Sequence, residues 1–369
     1  MNRISIANLG DINYLGNAFK KAEEEKKLNL VYLGGSITQG CNATTVEGRY
    51  VDLSAGWWKR RFPDAQIDYF NAGIGATTSQ FGAARAEDHV LSRKPDVVFV
   101  EFSVNDSDNR LFLETYESLV RKLLTAPSVK AVVLINNLYY DTGLNAQGIH
   151  NAVGCHYRLP IISIRDNIYP DIAAGRIDPK EYSDDMLHPR DIGHRFIADM
   201  ICGLLDAEYD IYKRNGVTGG KPQLMDKLTG ARYENTKIYN NLSSEPKLDG
   251  FTADRHTGDD FCVPFKNGWT GSAKGSSVTF EGIKAGILLL QWRRTIRKPA
   301  PIASVIIDGD PSTRIILDAN FDEDWGDLCA LTTLTESADK TKEHTVTVTI
   351  EEEGSESDFM LISLIAADM

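Results

Sequence analysis

The sequence predicts an α/β domain built on a parallel sheet, followed by an all-β sandwich. Three observations carry this. Over residues 1–212, apolar runs of strand length alternate with amphipathic stretches of helix length, the pattern of a parallel sheet covered on both faces. Beyond that the helical period fades, and short strands separated by turn residues take over. A chain of 369 residues also exceeds one ordinary core, so two domains are the prior.

In chain order, residues 10–27 read as an amphipathic helix, with Leu15, Phe19 and Ala22 on one face and K-K-A-E-E-E-K-K solvated behind it. The run L-V-Y-L at 30–33 is continuous and apolar, as in a strand buried on both faces, and it breaks at Gly34, Gly35 and Ser36. A helix at 47–62 carries Trp57 and Trp58, which are expected in the core. Strands follow at 67–70, 95–102, 129–136 and 159–164. Helices are expected at 80–92, 111–124, 147–157 and 191–205. The expected sheet is flavodoxin-like, with strand order 2-1-3-4-5. The stretch K-R-N-G-V-T-G-G-K-P marks a linker at 213–223. Residues 224–369 then offer strands at 278–280, 286–291, 303–307, 314–317, 344–350 and 359–365, as in a sandwich.

Composition bounds the function. Hydrophobic content of 42% and charged content of 25% are those of a globular protein, and the net charge of -12 argues against nucleic acid or an anionic membrane as partner. The opening M-N-R-I-S-I-A-N-L-G-D has no apolar signal region, so a cytoplasmic location is expected. The five cysteines, Cys41, Cys155, Cys202, Cys262 and Cys329, are scattered and odd in number, which fits reduced thiols. No H-E-x-x-H and no paired Cys or His at ligand spacing is present, so no metal or other cofactor is expected.

Four segments bear chemistry: G-G-S-I-T at 34–38, N-A-G-I-G-A at 71–76, S-V-N-D at 103–106 and D-M-L-H at 185–188. The first three follow strands that end at one edge of a parallel sheet, where ligands bind. Acyl transfer needs a nucleophile, a base, a group that orients the base, and donors for the oxyanion. Ser36 can attack and His188 can take its proton. Asp185, three residues earlier, can fix the imidazole tautomer. Asn105 offers an amide, the glycine loop offers backbone N–H groups, and the Ser36 N–H is a third donor. Alone, each has a plainer reading: a loop histidine before Pro189, a turn or cap at Asn105-Asp106, surface charge at Asp184-Asp185, a tight turn at the glycines. Their joint occurrence at strand ends favours catalysis. The glycine loop matches no nucleotide-binding pattern, and G-G-S-I-T lacks the second glycine of G-x-S-x-G.

These four segments resemble the blocks of the SGNH (GDSL-like) hydrolases over roughly the first 210 residues. The resemblance implies Ser36 as nucleophile, Asp185 and His188 as the D-x-x-H pair, and Asn105 as oxyanion donor. Gly75 or Ala76 is the second-block donor. Gly35 stands where many members have Asp, and Ser103 where the third block often has Gly. His194 reads as structural. The domain order is most similar to the mannan acetylesterases of carbohydrate esterase family seventeen, whose second domain is a carbohydrate-binding sandwich. The implied function is a serine esterase that removes O-acetyl groups from an oligosaccharide. The alternatives are a lipid or thioester acylhydrolase, or a glycan-binding protein with an inactive hydrolase domain. In the β domain, Trp269 and Trp325 are the aromatic candidates. Either is more often sandwich core than ligand platform; Trp325, in the acidic loop N-F-D-E-D-W-G-D, is the substrate-binding candidate, on the hypothesis that the sandwich contributes to the site. A homo-oligomer is compatible with all of this.

Overall fold

The parallel sheet runs in the order β1-β6-β5-β4-β2-β3 in the computed structural model, which describes residues 6–254 and 263–369. Cys262 and the first five residues of the opening segment lie outside the described residues. Its strands are β1 (Ile6–Asn8), β2 (Lys27–Gly34), β3 (Gln66–Gly73), β4 (Val97–Glu101), β5 (Ala131–Asn136) and β6 (Ile161–Ser163). Strands β2 to β6 are mutually parallel and reproduce the expected 2-1-3-4-5 order. The short β1 adds an antiparallel edge beside β6. The core strands are buried from end to end. Val97, Val98 and Val100 of β4 and Val132, Val133 and Leu134 of β5 have no exposed surface, each burial contributing about 1.5–3 kcal/mol relative to exposure.

Helices connect the strands: α1 (Asn13–Glu24), a single turn α2 (Ser36–Gln39), α3 (Tyr50–Arg61), α4 (Ser79–His89), α5 (Arg110–Thr125), α6 (Gln147–His156), α7 (Ile164–Ala173) and α8 (Asp191–Asn215). Trp57 and Trp58 sit, as expected, in an aromatic core with Phe19, Phe62 and Tyr209. Two helical stretches exceed the sequence reading. Helix α7 contains Pro170, which hid it, and starts on a Ser163 side chain that accepts the Asp166 N–H at 3.0 Å. Helix α8 continues ten residues past 205, through buried Glu208 and Tyr212, and stops at Gly216 with φ +69°. The expected linker therefore begins inside α8.

The chain divides into two compact units, Met1–Ala231 and Arg232–Met369. The second holds two antiparallel sheets. One is ordered β15 (Leu328–Glu336), β12 (Ile287–Arg294), β17 (Phe359–Ala367), β10 (Trp269–Gly271), β9 (Thr252–Ala253), with β7 (Thr236–Tyr239) also paired to β17. The other is ordered β14 (Asp310–Asp318), β13 (Ile302–Ile307), β16 (Glu343–Glu352), β11 (Ser277–Lys284), β8 (Lys247–Asp249). Both contribute inward side chains to one core, Leu288, Leu290 and Leu361 from the first and Val305, Val346 and Val348 from the second. The strict alternation of β16, with Val346, Val348 and Ile350 buried and alternating with Thr345, Thr347 and Thr349, is the period-2 signature of such a face. Trp269 belongs to this core, edge-on to Phe280, which removes it as a ligand platform.

Candidate active site

The registers Gly34↔Gly73 and Gly34↔Glu101 bring β2, β3 and β4 to a common edge, so the three loops leave side by side. At the end of β2 the chain passes through Gly35 directly into the one-turn α2, whose first residue is Ser36. That turn closes at Gly40 with φ +105°, a conformation open to glycine. Gly35 answers a second constraint. A Cβ there would fall 2.3 Å from Asn105 Oδ1, so an Asp at this position would collide with the Asn105 side chain.

His188 arrives from the other end of the first unit on the loop 183–189. Its Nε2 lies 2.8 Å from Ser36 Oγ, and its Nδ1 lies 2.7 Å from Asp185 Oδ2. The loop is an Asx turn folded around one carboxylate. Asp185 Oδ1 accepts the N–H of Leu187 at 3.0 Å, the N–H of His188 at 2.7 Å and the Ser183 hydroxyl at 3.0 Å. Partial burial raises the Asp185 carboxyl, but the His188 ring and these backbone donors outweigh it and hold the group down at about 2. Met186, at the crest, has φ +63°, and its carbonyl accepts the Tyr140 N–H at 2.8 Å. Asp184, the neighbouring carboxylate, faces solvent beside Arg190.

In the third block, Phe102 O accepts the N–H groups of both Asn105 and Asp106, a tight turn that brings Asn105 over Gly35. Asn105 Oδ1 is buried and has no hydrogen-bond partner among the described residues. Asp106 is buried as well: Oδ1 accepts the first N–H of α4, from Ser79, at 2.8 Å, and Oδ2 lies 3.0 Å from His150 Nε2. His150 stacks on Tyr116 with ring centroids 3.6 Å apart. Beneath the turn, Glu101 accepts the Ser103 N–H and hydroxyl at 3.2 and 3.1 Å. Burial pushes its carboxyl up to about 7.

The second block passes close to Ser36; a Cβ on Gly75 would lie 3.8 Å from Ser36 Cβ. The Gly75 N–H donates to Gln39 Oε1 at 2.9 Å. Ala76 follows with φ +53°, left-handed backbone that is uncommon outside glycine. His194 is buried. Its Nδ1 accepts the Tyr50 N–H at 3.4 Å and its Nε2 lies 3.1 Å from Cys41 O. Burial lowers its pKa, and with both nitrogens engaged it ties the segment after Ser36 to α8. Beside it, Asp191 accepts the Thr44 N–H and hydroxyl at 2.8 and 2.6 Å.

Ser36, Asp185, His188, Asn105, Gly75 and Ala76 thus lie in converging loops. The sequence reading missed Gln39, whose role depends on a side-chain rotamer, and the Asp106–His150 and Glu101–Ser103 contacts, which join third-block residues to partners outside any motif. Trp325 lies in the second unit, 56% exposed, edge-on to Phe321 at 5.1 Å. Among the described residues, no group of three or more His, Cys, Asp or Glu side chains is placed to hold a metal ion.

A hydrogen-bonded Ser–His–Asp chain at the edge of a 2-1-3-4-5 sheet, with an asparagine amide beside the serine, defines an ester hydrolase of the SGNH type. The chain matches the GDSL-like lipase/acylhydrolase family over residues 32–196 and belongs to it. It is similar over its whole length to the crystal structure of a two-domain esterase, CEX, active on acetylated mannans. That relative is 41% identical, with a TM-score of 0.93, over 98% of this chain and 97% of the other. A crystal structure of that esterase with mannopentaose gives 41% identity and a TM-score of 0.92. An acetylxylan esterase of Geobacillus stearothermophilus is 25% identical over 198 residues, 46% of this chain and 90% of the relative.

Proposed function

We propose that this protein removes O-acetyl groups from mannan-type oligosaccharides by a serine mechanism. The observation that carries the substrate class is the full-length 41% identity with an esterase active on acetylated mannans. The chemistry is supported by the continuous contact from Asp185 Oδ2 through His188 to Ser36 Oγ, at 2.7 and 2.8 Å.

Ser36 Oγ attacks the acetyl carbonyl carbon while His188 Nε2 takes its proton. Asp185 keeps the proton on Nδ1, so that Nε2 is the free base, and stabilises the imidazolium that forms. The negative charge on the tetrahedral oxygen is met by the Ser36 N–H, the Asn105 amide and the backbone at Gly75–Ala76. Gly75 donates to that oxygen once the Gln39 carboxamide moves away; Ala76 is the other candidate. As the intermediate collapses, the bond to the sugar oxygen breaks and His188 returns the proton to it. A water molecule, deprotonated by His188, then attacks the acetyl-serine, releasing acetate and restoring Ser36. Trp325, exposed in its acidic loop, stacks on a sugar ring while carboxylates accept hydroxyl hydrogens. The chemistry asks for no cofactor.

The test is Ser36→Ala, assayed on an aryl acetate and on acetylated manno-oligosaccharides. The variant is expected to fold as the wild type does and to release no acetate from either. Near-wild-type turnover would remove the serine mechanism. Mass spectrometry across acetylated manno- and xylo-oligosaccharides separates the substrate question from the mechanism.

A further inference from the structure

Helix α4 carries an arginine, Arg85, with no exposed surface, although it is one of the largest and most strongly hydrated side chains. Burying a guanidinium is costly unless its N–H groups find acceptors in place. Here Nη1 donates to Ala72 O at 2.7 Å and Nη2 to Gly34 O at 3.0 Å. A third contact sets Nη1 3.3 Å from His89 Nδ1, and the guanidinium carbon lies 5.7 Å from the centre of the Phe81 ring. The two carbonyls belong to different strands. Gly34 ends β2, two residues before Ser36, and Ala72 lies at the end of β3, three residues before Gly75. Gly34 O also accepts the Ile74 N–H at 3.0 Å, so this one oxygen joins the serine strand, the glycine loop and α4.

From this geometry we infer that Arg85 is a positioning residue for the oxyanion hole, its fork holding the serine-bearing strand end and the glycine-loop strand end at fixed separation. The inference rests on the serine reading above and adds to it the group that sets the spacing of nucleophile and backbone donor. At these strand ends Gly34 O keeps its bond from Ile74, and a planar fork with donors at fixed separation adds a second tie that bridges the Gly34 and Ala72 carbonyls. A lysine, with a single ammonium, cannot hold both in the same geometry. An error of the order of an ångström between nucleophile and donors is enough to slow a reaction strongly. Because Arg85 sits behind the loops, it acts on the transition state through Ser36 and Gly75 and makes no demand on sugar binding.

The test compares Arg85→Lys and Arg85→Met with the wild type on an aryl acetate. Binding is measured to a boronic acid, which forms a tetrahedral anion on an active serine. Folding is monitored by circular dichroism and thermal melts, and rates are expressed per folded molecule. Arg85→Lys is expected to fold, to lose about 10- to 100-fold in kcat with KM within about twofold, and to bind the boronic acid weaker by a similar factor. Wild-type kcat and boronic acid affinity in folded Arg85→Lys, whatever its melting temperature, would reduce Arg85 to a fold-stabilising residue and overturn the inference. Arg85→Met, if folded, must lose at least as much as Arg85→Lys; a smaller loss would also overturn it. The serine reading fails on a different result, acetate release by Ser36→Ala.

Discussion

Asn105 bears on the chemistry through one amide group, seated where a Cβ on Gly35 would strike it and lacking a partner for its Oδ1 among the described residues. The donor proposed for the oxyanion is Nδ2, the other end of the same carboxamide, since Oδ1 can only accept. Asn105→Ala should therefore lower kcat by on the order of 10²–10³ with little change in KM, the usual loss for one such donor. Steady-state kinetics on an aryl acetate check this, and an effect confined to KM would move Asn105 from the oxyanion hole to substrate binding. At this scale the four blocks were legible, because Ser36, Asn105, Asp185 and His188 each stand in a short segment whose chemistry is local. Arg85 and Gln39 were not. Arg85 sits in a helix and finds its acceptors 13 and 51 residues away, and no spacing rule predicts such a meeting. Gln39 reads as an ordinary polar residue until its carboxamide is seen on the Gly75 N–H.

Helix α8 shows what a carboxylate on a buried face does to an element. Glu208 is almost wholly buried, and its Oε2 has no partner among the described residues. Burial pushes its pKa up to about 7, from an ordinary value of 4.5. The folded state then holds a proton that the unfolded chain releases, so this group favours folding less and less as pH rises from about 4.5 to 7. Glu208→Gln should accordingly be more stable than the wild type at pH 8, by on the order of 2 kcal/mol, with the advantage gone near pH 4.5. Denaturant melts at the two pH values measure this; an advantage independent of pH would contradict it. The same burial explains an error in the sequence reading. Charged residues after 205 broke the apolar period, yet Glu208 and Tyr212 both face inward and α8 runs to Asn215. Pro170 concealed α7 in a related way, whereas β2 to β6 were legible because a continuous apolar run in a doubly covered sheet admits few other readings.

The whole chain combines a GDSL-like hydrolase unit with a β-sandwich, an order visible in the sequence as a change from mixed periods to short strands. Its finer features were not visible. Tryptophan identity does not distinguish Trp269, which is locked in the sandwich core, from Trp325, which is exposed at a loop tip. If Trp325 stacks on a sugar ring, Trp325→Ala should weaken oligosaccharide substrates by about 1–3 kcal/mol in kcat/KM, by analogy with aromatic stacking on bases. It should leave an aryl acetate almost unaffected. Parallel assays decide: equal losses on both substrates point to folding, and no loss on either removes Trp325 from substrate binding.

The central claim is that acetyl groups pass from a mannan-type oligosaccharide through Ser36 to water. The most direct measurement quenches the enzyme with acid during turnover of an acetylated manno-oligosaccharide and maps it by peptide mass spectrometry. The expected result is one acetyl group on the peptide containing Ser36, absent before substrate is added and absent from Ser36→Ala, together with stepwise loss of acetyl groups from the sugar. Acetyl transfer to another residue, or deacetylation of the sugar by Ser36→Ala at the wild-type rate, would contradict it.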